Sequence, residues 1–264
     1  GVVTVGAVED VENVDATGTP TGTGFDSTLT VNGDGDIDLT GAIGAGDAIA
    51  ALTVGGAGTA SLSGGTIRTD GGGQQFDTAV RLDTDTSFVN TDAAGIEFAS
   101  TLDAELGDTA IDAQFTAPVG PLAFLQAVGG SQALQTLTIN DSNTTTFEGT
   151  VATSQAITLT STDATIRFEQ AVSAGSIAAA ADGFDVEFLA TPSTTGTGSF
   201  LNSGGLSLAA GGTFDGGFRA GAATPVTLTG VLSTSAGLID LDAGLTLGGN
   251  ATLDSNGGNI LVAG

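Results

Sequence analysis

Three aspartates stand at alternate positions in the stretch NGDGDIDL: Asp34, Asp36 and Asp38. Hard carboxylate oxygens spaced this way in a glycine-rich loop suit Ca²⁺. The EF-hand pattern fails, however. Its sixth position would be Leu39, and its twelfth would be Ala45, where a bidentate Glu is needed. The glycine-rich nonapeptide that binds calcium in toxin-type β-rolls is also absent. The competing reading is a strand whose outer face carries alternate carboxylates. Asp83/Asp85 and Asp240/Asp242 have the same i, i+2 spacing. Each pair would hold a cation only if a neighbouring turn added oxygens.

Carboxylate pairs also serve hydrolysis. A glycosidase needs two carboxyls, about 5–5.5 Å apart for retention or about 6.5–9.5 Å apart for inversion. Among 30 acidic residues some pairs meet this by chance, and the aromatic platforms of a sugar cleft are reduced to Phe, since Trp and Tyr are absent. Arg occurs only at 68, 81, 167 and 219. Arg167 lies beside Phe168 on the opposite face of its strand, so it is expected outside, near Glu148, Glu169 or Glu187. Cys and His are absent. That removes thiolate nucleophiles, disulfides, zinc and haem sites and the Ser-His-Asp triad. The expectation is a protein without catalytic residues and without a required cofactor; the alternative is a polysaccharide-active β-helix enzyme that uses one such carboxylate pair. The Thr-x-Thr pairs at Thr136/Thr138, Thr158/Thr160 and Thr227/Thr229 would make an ice-binding array only if unbroken. They are too sparse for that, and Thr suits the outer face of any strand.

Composition narrows the partners. Thirty acidic residues face four arginines and no Lys, a net charge of −26. Nucleic acid needs clustered basic residues and is not expected as a partner. Anionic lipid is equally disfavoured. A charge of this size is relieved by salt or divalent cations, because the Debye length falls from about 8 Å at physiological salt to about 3 Å at 1 M. A salty or calcium-containing exterior suits such a surface, as does simple solubility. No run of about 20 apolar residues is present to span a bilayer. The first residue is not Met, which suggests a processed chain or an excised segment.

The elements that would position these residues recur at a fixed period. Leu137/Ile139 are followed by Ile157/Leu159 and then by Ile177/Ala179, and Phe147 by Phe168 and Phe188. Recurrence at about 20–22 residues marks a solenoid, each repeat one turn stacked on the last. A Phe with Val or Leu four residues on appears as Phe76/Val80, Phe98/Leu102, Phe147/Val151 and Phe168/Val172. Within one strand, i and i+4 share a face, so these pairs predict an internal ladder. Glycine-, Asp- and Asn-closed segments of three to five residues fit strands and turns, with no helical period. The fold expected is all-β, a parallel β-helix of roughly 10–12 turns. The alternative is an array of β-sandwiches.

The chain divides into residues 1–40 and 41–264. Residues 1–40 (GVVTVGAV, then acidic EDVENVD, then TGTPTGTG) are expected to form a terminal strand that caps the rod or pairs with a neighbouring subunit. Residues 41–264 are expected to be solenoid. Irregular insertions are placed near 103–135, where PLAFLQAV reads as a small helix or bulged loop, and near 190–199.

The segments TIRTDGGGQQFDTAVRLDTDTSF, PLAFLQAVGGSQALQTLTIN, TTFEGTVATSQAITLTSTDATIRFEQAV and GLIDLDAGLTLGGNATLDSNGGNILVAG resemble the filamentous-haemagglutinin-like adhesins, large bacterial β-strand-repeat surface proteins. The likeness covers about residues 40–264 at the level of repeat pattern. It implies secretion to the cell surface and a role as stalk, fibre or adhesive array, with self-association or a cell-surface glycan or receptor as partner. The N-terminal secretion domain of those adhesins has no counterpart in this sequence.

Overall fold

The structure, a computed structural model, describes residues 1–9 and 27–263. Much of the acidic and Thr/Gly-rich part of the expected N-terminal segment (10–26) therefore lies outside the described residues. The rest is a parallel β-solenoid of about 11 coils with no helix. Every strand pair is parallel. Each complete coil crosses three faces in one order.

Face 1 begins with Val3–Val5 and climbs through Ile37–Leu39, Thr59–Leu62, Ala79–Leu82 and Leu102–Ala104. Val128 bridges Leu102 to Val151, so the face continues through Val172–Ala174, Pro192–Thr194 and Gly212–Phe214. Face 2 begins with Thr28–Gly33 and Ala51–Gly56 and holds the strands ending in Phe76, Phe98, Phe124, Phe147, Phe168 and Phe188. Face 3 is a ten-stranded sheet from Thr66–Thr69 to Ile260–Val262.

The register explains the period. Leu137, Thr138 and Ile139 pair with Ile157, Thr158 and Leu159, and Ile157 with Ile177. Phe147 pairs with Phe168, and Phe168 with Phe188. Identical register positions lie one rung apart, about 4.8 Å. That distance lets aromatic rings stack, so a Phe on one rung favours a Phe on the next. On face 2 the rings run Phe76, Phe98, Phe124, Phe147, Phe168, Phe188, with centroids 4.6, 5.3, 4.6, 4.7 and 4.9 Å apart and planes within 7° of parallel. A second column, Phe88 on Phe115, comes from face 3 and meets the first edge-on. The thirteenth Phe, Phe25, lies outside the described residues; the other twelve are all fully buried.

Three expectations change in detail. The Phe/Val pairs do not share one strand. Phe76 ends the face-2 strand Gln74–Phe76, the chain turns at Asp77 and Thr78, and Val80 lies on the face-1 strand Ala79–Leu82. Both side chains point inward because a corner, not an extended strand, separates them. The strands within 103–135 belong to the wall, so PLAFLQAV is neither a helix nor a bulge leaving it. Asp112–Ala117 pairs with Thr86–Asn90 and Thr136–Ser142, and Leu122–Phe124 pairs with Ile96–Phe98 and Thr145–Phe147. The extra length forms loops over 105–111 and 129–133, on either side of these strands. Residues 190–199 are wall as well: Pro192 opens the strand Pro192–Thr194, a position proline tolerates, and Thr197–Phe200 follows.

The corners are set by small and polar residues. Between faces 1 and 3 the turn is so tight that a Cβ at Gly175 would lie 2.4 Å from the Gln155 carbonyl oxygen. Gly196, stacked above it, would meet the Gly175 carbonyl at 2.6 Å. At other corners buried side chains satisfy carbonyls that leave the ladders. Asn202 Nδ2 donates to the Phe184 and Gly205 carbonyls, and Thr224 Oγ1 donates to those of Phe200 and Asn202.

Residues 1–9 and 27–40 form part of the same stack. Val3–Val5 pairs with Ile37–Leu39, and Thr28–Gly33 with Ala51–Gly56. Val3, Val5, Val8 and Leu29 pack against the core.

Candidate functional site

The predicted calcium ligands do not converge. Ile37 and Leu39 point into the core, so Asp36 and Asp38 project from the wall, and Asp34 precedes the strand in an exposed turn. Asp36 Oδ1 accepts the Thr59 amide at 3.0 Å and so ties two coils together. Among the described residues no group of three or more carboxylates is placed to hold a metal ion.

Of the other two alternate pairs, Asp240 and Asp242 both face an arginine, and Asp83 alone of the pair Asp83/Asp85 does. Arg219 lies 3.8 Å from Asp240 and 3.4 Å from Asp242, on the next rung. Arg81 Nε lies 3.5 Å from Asp83 and also contacts Glu105, while its Nη2 donates to Ser61 at 2.8 Å. Asp85 turns the other way and accepts the Asp112 amide. Arg167 reaches Glu169 at 3.4 Å and Glu187 at 4.0 Å, two of the three partners expected from sequence. The guanidinium thus occupies the place a cation would take. For Arg81 and Arg167 the signal legible in sequence is an Arg with an acid two residues on and another acid about one repeat later; both partners of Arg219 lie on the next rung.

Among the described residues two carboxyls are perturbed. Partial burial and a hydrogen bond with the Glu105 carboxyl raise Asp83 above the ordinary range, against the opposing pull of Arg81. The Ser161 hydroxyl and the Gly183 amide hold Asp182 below it. Asp182 is fully exposed and carries no consequence for the core.

One of several shallow grooves on the wall lies beside the enlarged coil, on the outside of face 1. It has a volume of about 270 Å³ and runs over three rungs. It is lined by Thr59, Ala79 and Arg81, by Thr101, Asp103 and Leu106, and by Ser131 and Gln132. Asp103 sits at an outward position in register with Arg81 and Ser61, yet is only 9% exposed. It is covered because the 129–133 loop folds onto it: Asp103 Oδ1 accepts the Ser131 and Gln132 amides at 2.8 and 3.3 Å. Gln132 then joins both loops, its carbonyl accepting the Ala104 amide and its Oε1 the Gly107 amide. Sequence reading marked this stretch as irregular but missed the groove, which depends on residues from four separate segments.

A further feature is the last coil. Leu247, Ile260 and Val262 occupy the register positions of the buried Leu228, Ile239 and Leu241, yet they are exposed, Leu247 by 62%. One more rung would bury them.

Thr138 and Thr158 are stacked partners, but the next rung places Ala178 there, so the Thr-x-Thr pairs form no continuous array. Among the described residues no helix is long and apolar enough to cross a membrane. Comparison with protein-family models, curated proteins and solved structures found no match to this chain.

Proposed function

We propose that this chain is a non-enzymatic, extracellular scaffold: a β-solenoid segment of a surface fibre, sheath or adhesin stalk. The observation that carries this reading is the unbroken stack. Three parallel ladders run along one axis, and six Phe rings stack through the centre. At about 4.8 Å per rung, some 11 coils give a rod on the order of 50 Å long. Force along such a rod is shared by backbone hydrogen bonds, and each coil is supported by its neighbours. The Lys-free acidic surface supports an exterior location, where salt and calcium screen it as diffuse counter-ions.

Self-association belongs to the same reading. The apolar register positions of the last coil, and the outer edge of Val3–Val5, are suited to pairing with a further rung, and a contact that does not close builds a filament. The decisive experiment is antibody labelling of intact source cells under the electron microscope. Label on surface fibres or a sheath supports the proposal; label confined to the cell interior refutes it. A second reading, a glycan- or receptor-binding segment of a large adhesin, is favoured by the groove beside the enlarged coil.

A further inference from the structure

We infer that the groove over Thr59, Ala79 and Thr101 binds a neutral saccharide, one or two sugar units of a longer chain. The inference deepens the second reading. It needs the groove alone, so its failure leaves the scaffold reading standing.

The first argument is preorganisation. A bare solenoid wall is flat. Here two loops are fastened over it through Asp103 and Gln132 by four hydrogen bonds of 2.8 to 3.3 Å. Loops fixed in place before binding lose little freedom when a ligand arrives. The second argument is chemistry. The groove is lined by the Arg81 guanidinium, by hydroxyl-bearing Thr59, Thr101 and Ser131, and by Gln132, with the Asp103 carboxylate largely covered beneath the 129–133 loop. Mixed donors and acceptors on planar groups match the paired hydroxyls of a sugar ring. Leu106 lines the groove and is 76% exposed, the most exposed of the large apolar side chains among the described residues. It offers cover for the C–H face of a pyranose, a role Trp or Tyr would otherwise fill.

The third argument is charge. Arg81 is already matched by Asp83 and Glu105. The chain around it carries −26, so phosphate, sulfate and uronate ligands are repelled. Size agrees: about 270 Å³ is just below the range of small-ligand pockets, and the groove extends along the rod by about 4.8 Å per rung. The comparable groove lined by Asp185 and Glu187 lacks both bordering loops and a basic group in its lining, and it carries no such inference.

The test is titration of the whole chain with maltotriose, cellotriose, mannotriose and galactotriose, followed by amide NMR and calorimetry. A trigalacturonate serves as the charged comparison. At least one neutral trisaccharide should saturate with a Kd in the millimolar range or tighter, with shifts centred on Thr101 and Leu106. Thr101→Arg, which fills the groove, should weaken it at least about tenfold with an unchanged circular-dichroism melt. Leu106→Asp, on an exposed loop, is the second variant and should act in the same direction. The inference is overturned if no neutral sugar saturates by about 10 mM, a threshold weaker than 4 kcal/mol of binding. It is overturned equally if trigalacturonate binds better than every neutral sugar, or if both variants bind as the parent does.

Discussion

Replacing Phe147 with Ala removes one ring from the middle of the six-ring column. Phe147 is fully buried and stacks on Phe124 at 4.6 Å and on Phe168 at 4.7 Å. Truncating a buried Phe to Ala costs about 3–5 kcal/mol through lost transfer energy and the cavity left behind. Two ring pairs are lost at once, each worth about 0.5–1.5 kcal/mol beyond burial, which places this site near the top of that range. The walls cannot collapse to fill the void, because their spacing is held by ladders that continue above and below. Phe147→Leu keeps much of the volume and should lose mainly the two stacks, about 1–3 kcal/mol. Leu247→Ala, at an exposed position on the last coil, should cost about 0.5 kcal/mol or less. The assay is urea unfolding followed by far-ultraviolet circular dichroism, since the chain has no Trp or Tyr to report by fluorescence. In a stack of coils the loss is local first, so hydrogen exchange should speed up in the coils carrying Phe124 and Phe168 before distant ones. A cost below about 1 kcal/mol for Phe147→Ala, or one equal to that of Leu247→Ala, would refute the stacked-core reasoning.

Three further outcomes are expected. Asn202→Leu leaves the Phe184 and Gly205 carbonyls without their donor in a buried corner and should destabilise by about 1–3 kcal/mol in the same urea assay. Asp83 has a folded pKa raised above its ordinary 3.8, so its contribution favours the fold below the unfolded value and is lost as pH rises through the folded one. Thermal melts should therefore show the gap between the parent and Asp83→Asn narrowing as pH falls from 7 towards 4. Arg167→Gln removes two ion pairs whose side chains are about 40% exposed, and chemical unfolding should register no more than about 1 kcal/mol.

The fold was legible in sequence to the degree that one rung resembles the next. Leu137/Ile139 and Phe147 recur with little change, and the structure pairs their repeats residue for residue. Phe124 escaped because the longer 105–111 loop puts it 26 residues after Phe98 rather than the usual 20 to 22, and a fixed-period reading then took PLAFLQAV for something else. The corners escaped for a different reason. A Phe and a Val four residues apart are compatible with one strand or with two strands around a bend, and only the packing of three faces decides between them. Arg167's partners were visible because they obey the period, whereas the groove draws on Thr59, Arg81, Thr101, Asp103 and Gln132, whose proximity no local pattern announces. Asp34, Asp36 and Asp38 had the spacing of ligands, but the outer face of a wall spreads alternate residues rather than converging them.

Cryo-electron microscopy of the purified chain should show stiff rods with rungs about 4.8 Å apart across three faces, joined end to end into filaments. Compact particles with two packed sheets, or rods that stay single at every concentration, would contradict the proposed scaffold.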